Sequence, residues 1–224
     1  MDLTKFFAIA QAMASLARYS QTRLVAPENV LQHSGFVVLA CYFICLEVNS
    51  RATHDGERID MGELLSRAII HDFDEIAVGD IARPTKYHSS ETVAMFTKLK
   101  HIGICKLVKD LHLEPAIAAR VLQDHDTAKE GRSGFIVDLA DKLAVVFKLW
   151  DECLLRHNYT MIKNAVHLHE RSFLPDLRRD IQTLQFNQEQ SFCLHGYLSA
   201  MEKIVSIIAH KRSPVLGIVN EALG

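Results

Sequence analysis

Between residues 3 and 212 the apolar side chains recur at three- and four-residue intervals, and no stretch of useful length alternates apolar with polar residues. A chain with that pattern hides its apolar stripes by packing helix on helix, because the two-residue period of a sheet face is missing. The spacing predicts helices over residues 3–19, from Pro27 and Glu28 to about residue 48, and over residues 59–77. It predicts them again in "ETVAMFTKLKHIGICKLVKDL", in "EPAIAARVLQDHD" behind Pro115, and in "FIVDLADKLAVVFKLWDECLLRH". Residues 160–212 continue in the same register, with a kink or break at Pro175. "NSRATHDGER" and "GDIARPTKYHSS" read as loops and "KEGRSG" as a mobile loop. The expected fold is all-α, a globule of roughly seven to nine helices.

One domain spanning residues 1–224 is expected, since 49% of the residues are hydrophobic and only 10 Gly and 5 Pro interrupt them. Lysine and arginine number 25 against 27 acids, a net charge of -2, so no global field favours a nucleic-acid polymer or an anionic membrane. Any phosphate must be met locally. Cys41, Cys45, Cys105, Cys153 and Cys193 form no CxxC pair and are odd in number, which points away from a disulfide framework and toward the cytoplasm. The first twenty residues lack the basic region and cleavage site of a signal peptide. The longest apolar run, "GFVVLACYFICLEV", is too short to span a bilayer and reads as a buried helix.

Four polar residues stand inside helical patterns where such groups are costly: His33 in "ENVLQHSGFVV", His71 and Asp72 in "AIIHDFDE", and Asp141 in "IVDLADKLAVV". One divalent metal pairs all four at once, and two imidazoles with two carboxylates suit Mn, Fe, Co, Ni or Zn better than Ca or Mg. Taken singly, such a histidine is more often a satisfied core residue, and such an aspartate is usually solvated or bonded to a nearby Arg or Lys. The dipeptide is also weak by itself, since "HD" recurs at His54 and Asp55 and "DHD" at residues 124–126. His54 and Asp55 precede Gly56 in a polar loop, where a solvated turn is expected, and they are left out of the site.

Glu75 follows His71 by four residues and Asp72 by three, which on a helix sets its carboxylate on their face. Asp74 is three residues from His71, so spacing does not choose between the two acids, and one of them is expected to face water. Asp80 follows Gly79, as an Asx-type turn or as a substrate contact. Arg18 and Arg23 flank the turn before the His33 helix, and a guanidinium fits phosphate oxygens, although most arginines near helix ends are simply solvated.

With these residues assembled, the chain resembles the HD-domain phosphohydrolases, and among them the YfbR-like 5'-deoxynucleotidases. The order H…HD…D is met by His33, His71 with Asp72, and Asp141. "ARYSQTRLVAPENVLQHS" is similar to the family's Arg, aromatic, then "ENVxxHS"; "HDFDEIAVGDIARPTKY" to its "HDxxExxxGD…PxKY"; and "ADKL" to its "ADxL". The likeness runs from about residue 6 to residue 155, a core that the helices of about residues 160–212 would complete. It implies metal-dependent cleavage of the 5' phosphoester of a deoxynucleotide, with one divalent transition metal held by His33, His71, Asp72 and Asp141. It further implies Glu75 as the catalytic acid, Arg18 near the phosphate, Tyr19 at the sugar, and Asp80 toward the sugar and the chemistry.

Two departures stand out. Tyr19 occupies a position where the resembling enzymes carry Trp, and the loop "DHDTAKEGRSG" is about two residues longer than theirs. Compact phage relatives resembling DatZ-like dATP triphosphohydrolases use the same ligands on triphosphates, which makes tripolyphosphate release the alternative reaction. That reaction calls for extra cations, and Lys86, Lys129 and Arg132 supply them only if their loops fold inward. A second alternative is a non-catalytic metal- or nucleotide-binding module. The expected partners are a deoxynucleotide and further copies of the chain as a homodimer or larger homo-oligomer. The expected compartment is the cytoplasm, the host's if the gene belongs to a phage.

Overall fold

Short polar side chains set half of the α-helix starts among the described residues. Asp2, Asn29, Asp60, Ser89 and Asn187 each accept a backbone N–H three residues on, and Asn29 with Gln32 and Asn187 with Gln190 form reciprocal capping boxes. The computed structural model describes residues 1–81, 83–86, 88–162, 164–165 and 173–210. In chain order its α-helices are α1 Leu3–Ser15, α2 Val30–Asn49, α3 Met61–Ile70, α4 Glu75–Val78, α5 Arg83–Lys86, α6 Ser90–Asp110, α7 Pro115–Asp126, α8 Gly131–Trp150, α9 Leu174–Thr183 and α10 Gln188–Ala209. No strand occurs among the described residues, and the fold is all-α as expected.

Three helices make the centre. Val37, Cys41 and Ile44 of α2 lie against Leu64 and Ala68 of α3 and Ile136, Leu139 and Ala140 of α8, and Leu194, Leu198 and Met201 of α10 close the same core. Each fully buried Leu or Ile there contributes roughly 1.5–3 kcal/mol. Polar residues near the ends of α2 and α3 and along α8 therefore meet on one rigid frame.

The differences from the sequence reading have local causes. α1 stops at Ser15 rather than running to residue 19, because the next segment pairs with another: Arg18 N–H donates to Glu28 O at 2.9 Å and Val30 N–H to Leu16 O at 3.0 Å. "KEGRSG" is not a loop throughout, since α8 already begins at Gly131. Pro175 lies in the first turn of α9, where its missing N–H costs nothing, so it starts a helix instead of kinking one. The run read as a buried helix is buried on one face only, with Leu39, Tyr42, Phe43 and Leu46 exposed. The helix that holds this run is also longer than the run itself, at 20 residues. α2 and α10 are both long and apolar enough to cross a membrane, although eight residues of α2 are buried, five of them in the core.

Candidate active site

His33 sits in the first turn of α2, His71 caps the C-terminus of α3, Asp72 follows in the turn, and Asp141 lies midway along α8. The ligand atoms of His33, His71 and Asp72 lie within 4.8 Å of one another. Asp72 Oδ2 is 3.4 Å from His33 Nε2 and 3.2 Å from His71 Nε2, and Asp141 Oδ1 is 3.2 Å from His33 Nε2. All four residues named from the sequence thus converge.

The two rings are oriented from behind. His71 Nδ1 is 2.8 Å from Ala68 O, so it carries the proton and leaves Nε2 bare, and Glu28 Oε1 lies 3.7 Å from His33 Nδ1. Both Nε2 atoms are buried and have no hydrogen-bond partner. Orphaned buried acceptors cost about 1–3 kcal/mol each, so two of them facing two carboxylates form a donor set suited to a transition metal. Burial alone would raise the carboxyls, yet His71 in its protonated form, together with Arg18, holds Asp72 below the ordinary range, and Lys129 does the same for Asp141.

The continuous helix expected over residues 59–77 breaks at this doublet. Residues 71–74 form turns, with Phe73 N–H bonded to Ile70 O and Glu75 N–H to Asp72 O, both at 3.1 Å. The tightened turn still aims Asp72 and Glu75 at one guanidinium: Arg18 Nη1 is 3.0 Å from Asp72 Oδ2 and 3.7 Å from Glu75 Oε2. Asp74 points away from Arg18 but not into water. It is 1% exposed, with Lys100 on one oxygen and His125 Nε2 3.1 Å from the other, so the expectation that one acid of the pair is solvated is corrected. Burial and Asp72 push Glu75 up to about 8 against the opposing pull of Arg18, which leaves a carboxyl that carries a proton near neutral pH.

Tyr19 has φ 56, a left-handed conformation strained for a bulky residue, and two bonds hold it there. Its N–H donates to Asp80 Oδ2 at 2.9 Å, and its carbonyl accepts from Thr22 N–H at 2.8 Å. Gly79 makes this possible, because its φ of 80 turns the chain so that Asp80 can reach back. Burial pushes the Tyr19 phenol well above its usual range.

A cavity of about 930 Å³ opens over the cluster, lined by Arg18, Tyr19, His71, Asp72, Glu75, Asp80 and Asp141. Along α8 its lining runs from Asp138 through Asp141 and Lys142 to Val145, the i, i+3, i+4, i+7 spacing of one helix face. Thr22, Asn164, Phe173, Lys100, His125 and Lys129 also line the cavity. Of the three cations weighed in the sequence, Lys86 and Lys129 line this space, whereas Arg132 is spent on Glu57 O and Gln190 Oε1. The decoy pair stays outside, with the His54 side chain 67% exposed beside Glu57. Sequence reasoning missed Glu28, Lys100, His125 and Glu152. Of these only Glu28, inside the "ENV" frame, had a local signal.

Residues 5–171 match the 5'-deoxynucleotidase YfbR-like family. A 5'-deoxynucleotidase from Vibrio parahaemolyticus is 29% identical over 177 residues, 76% of this chain and 88% of its own length. Another, from Erwinia tasmaniensis, is 29% identical over 162 residues, 71% and 79% of the two chains. In structure, an HD-domain phosphohydrolase from Listeria innocua superposes with a TM-score of 0.59 at 15% identity, covering 92% of this chain and 99% of that one. The cyanophage S-2L HD phosphohydrolase DatZ gives 0.58 at 16% identity, covering 88% and 95%. With the match spanning most of its length and His33, His71, Asp72 and Asp141 meeting in the order of the motif, this chain belongs to the YfbR-like 5'-deoxynucleotidase family.

Proposed function

We propose that the chain hydrolyses the 5' phosphoester of deoxynucleoside 5'-monophosphates to deoxynucleoside and phosphate. The observation that carries this reading is the pair of orphaned Nε2 atoms facing Asp72 and Asp141, with the Glu75 carboxyl beside them 3.7 Å from Arg18. A divalent transition metal held by His33, His71, Asp72 and Asp141 supplies, when bound, the Lewis acidity that activates water toward phosphorus. Arg18 neutralises the phosphoryl oxygens in a half-dry site, where such charge counts for more than in water. As the P–O5' bond breaks, its electron pair goes to O5', and Glu75 gives that oxygen its proton. Asp80 fixes the Tyr19 backbone, and the Tyr19 ring bounds the sugar.

Names among the relatives support this substrate class, and the DatZ structure holds dA and one catalytic Zn2+. Residues 1–224 form one domain in this reading, because α9 and α10 share the core of α2 and α8. Five free thiols agree with a cytoplasmic site, and the exposed apolar row on α2 agrees with a homo-oligomer. The inward Lys129 also favours a second reading, hydrolysis of a deoxynucleoside triphosphate with release of tripolyphosphate. A panel of deoxy- and ribonucleoside mono- and triphosphates, with Co or Mn added, separates the two. Phosphate from dAMP with no tripolyphosphate from dATP is the expected result; the reverse replaces the first reading with the second, and turnover of neither refutes both.

A further inference from the structure

Between α7 and α8 the chain turns within four residues, and it turns against the first coil of α8. A Cβ on Gly134 would stand 2.3 Å from Lys129 C and 2.8 Å from Lys129 Cα, so only glycine lets the Lys129 backbone lie there. That close approach sends the Lys129 side chain to the cavity face of α8. Its Nζ lies 2.5 Å from Asp141 Oδ2 and 3.3 Å from Asp138 Oδ1, and Asp138 has a second partner in Lys142. Arg18 stands at Asp72, the other carboxylate of the cluster. The cluster thus carries one cation at each of its two ligand carboxylates.

A lysine built only to neutralise a buried acid looks different in this same molecule. Lys148 is 5% exposed, spends its ammonium on Ala26 O and Glu152, and is not among the residues lining the cavity. Lys129 is 45% exposed, lines the cavity, and keeps donor capacity, since an ammonium has three N–H groups. We propose that Lys129 is a substrate-contacting residue whose ammonium binds a nonbridging oxygen of the phosphoryl group, across the cluster from Arg18. The proposal rests on the phosphohydrolase reading above and extends it to a loop that departs in length from the resembling enzymes.

The test uses full-length chain loaded with Co, as wild type, Lys129→Met and Lys129→Arg. Inorganic phosphate and deoxyadenosine are titrated separately by calorimetry, Co is counted by elemental analysis, and KM and kcat are measured with dAMP. Loss of one charge-assisted hydrogen bond should weaken phosphate binding and raise the KM for dAMP by about tenfold or more in Lys129→Met. Lys129→Arg should recover most of that, while deoxyadenosine affinity and Co content stay at wild-type values. Unchanged phosphate affinity in Lys129→Met overturns the proposal. Loss of Co alongside phosphate overturns it equally, because Lys129 then serves Asp141 alone. Phosphate titration needs no turnover, so a wild type that hydrolyses no nucleotide would defeat the functional reading and still leave this measurement decisive.

Discussion

Glu75 carries the most specific chemistry assigned to any one side chain. Its carboxyl is pushed up to about 8 by burial and by Asp72, and a dication at the cluster pulls it back down. As a proton donor it acts only while protonated, so kcat should fall as pH rises through a value at or below about 8. Glu75→Gln should abolish that limb, keep metal and substrate binding, and cost about 100-fold or more in turnover. A kcat that climbs through the same range would make Glu75 a base. His54→Ala, at the exposed second doublet, should match wild type in the same assay. At Tyr19 a narrower ring than indole, with its own hydroxyl, should leave deoxynucleotides preferred over ribonucleotides by roughly ten- to 100-fold in kcat/KM. Tyr19→Trp should widen that ratio and Tyr19→Ala shrink it; a ratio indifferent to residue 19 would take the ring off the sugar. His33, His71, Asp72 and Asp141 were legible because each is a polar group set in an apolar helical frame. Lys129 was legible only as one of three cations conditional on an inward loop, since its position depends on a missing side chain at Gly134, and no periodicity reports that.

At the scale of elements, the excursion over residues 16–29 brings Arg18, Tyr19 and Glu28 to the site, and a buried acid from another part of the chain pins it. Glu152, in the π turn after α8, accepts the N–H groups of Val25 at 2.9 Å and Ala26 at 2.8 Å, with Asn158 Nδ2 and Lys148 around it. Burial would raise this carboxyl, but those donors hold it down at about 2. Its ionised form therefore contributes stability above the ordinary carboxylate range, and that contribution is lost as pH falls through about 2. Glu152→Ala strands Lys148 and two N–H groups, which should cost roughly 3–5 kcal/mol by urea denaturation and raise the KM for dAMP. An unchanged midpoint would show that the loop holds itself. Helices with a clear stripe and a polar cap were readable in order and nearly in length. The break at His71 and the pinning of residues 16–29 were not, because both depend on partners that folding brings from more than fifty residues away.

For the whole molecule, the cluster joins α2, α3 and α8, so a ligand that binds there only in the folded state raises global stability. Metal at 100 times its dissociation constant should add about 2.7 kcal/mol, and for a chain this long chelation should lower Tm by roughly 5–10 °C. Asp72→Ala should melt at one temperature with or without chelator. The all-α class followed from the absence of any two-residue period, while the helix count depended on short segments such as α4 and α5 that are too brief to show a period of their own. The central claim is that His33, His71, Asp72 and Asp141 hold the metal that hydrolysis requires. It is tested most directly by measuring metal content and phosphate release from dAMP on the same samples of wild type and Asp72→Ala, with circular dichroism to check the fold. The account predicts about one transition-metal ion per wild-type chain together with phosphate release, and both absent from a folded Asp72→Ala; a folded variant that keeps its metal or its rate would contradict it.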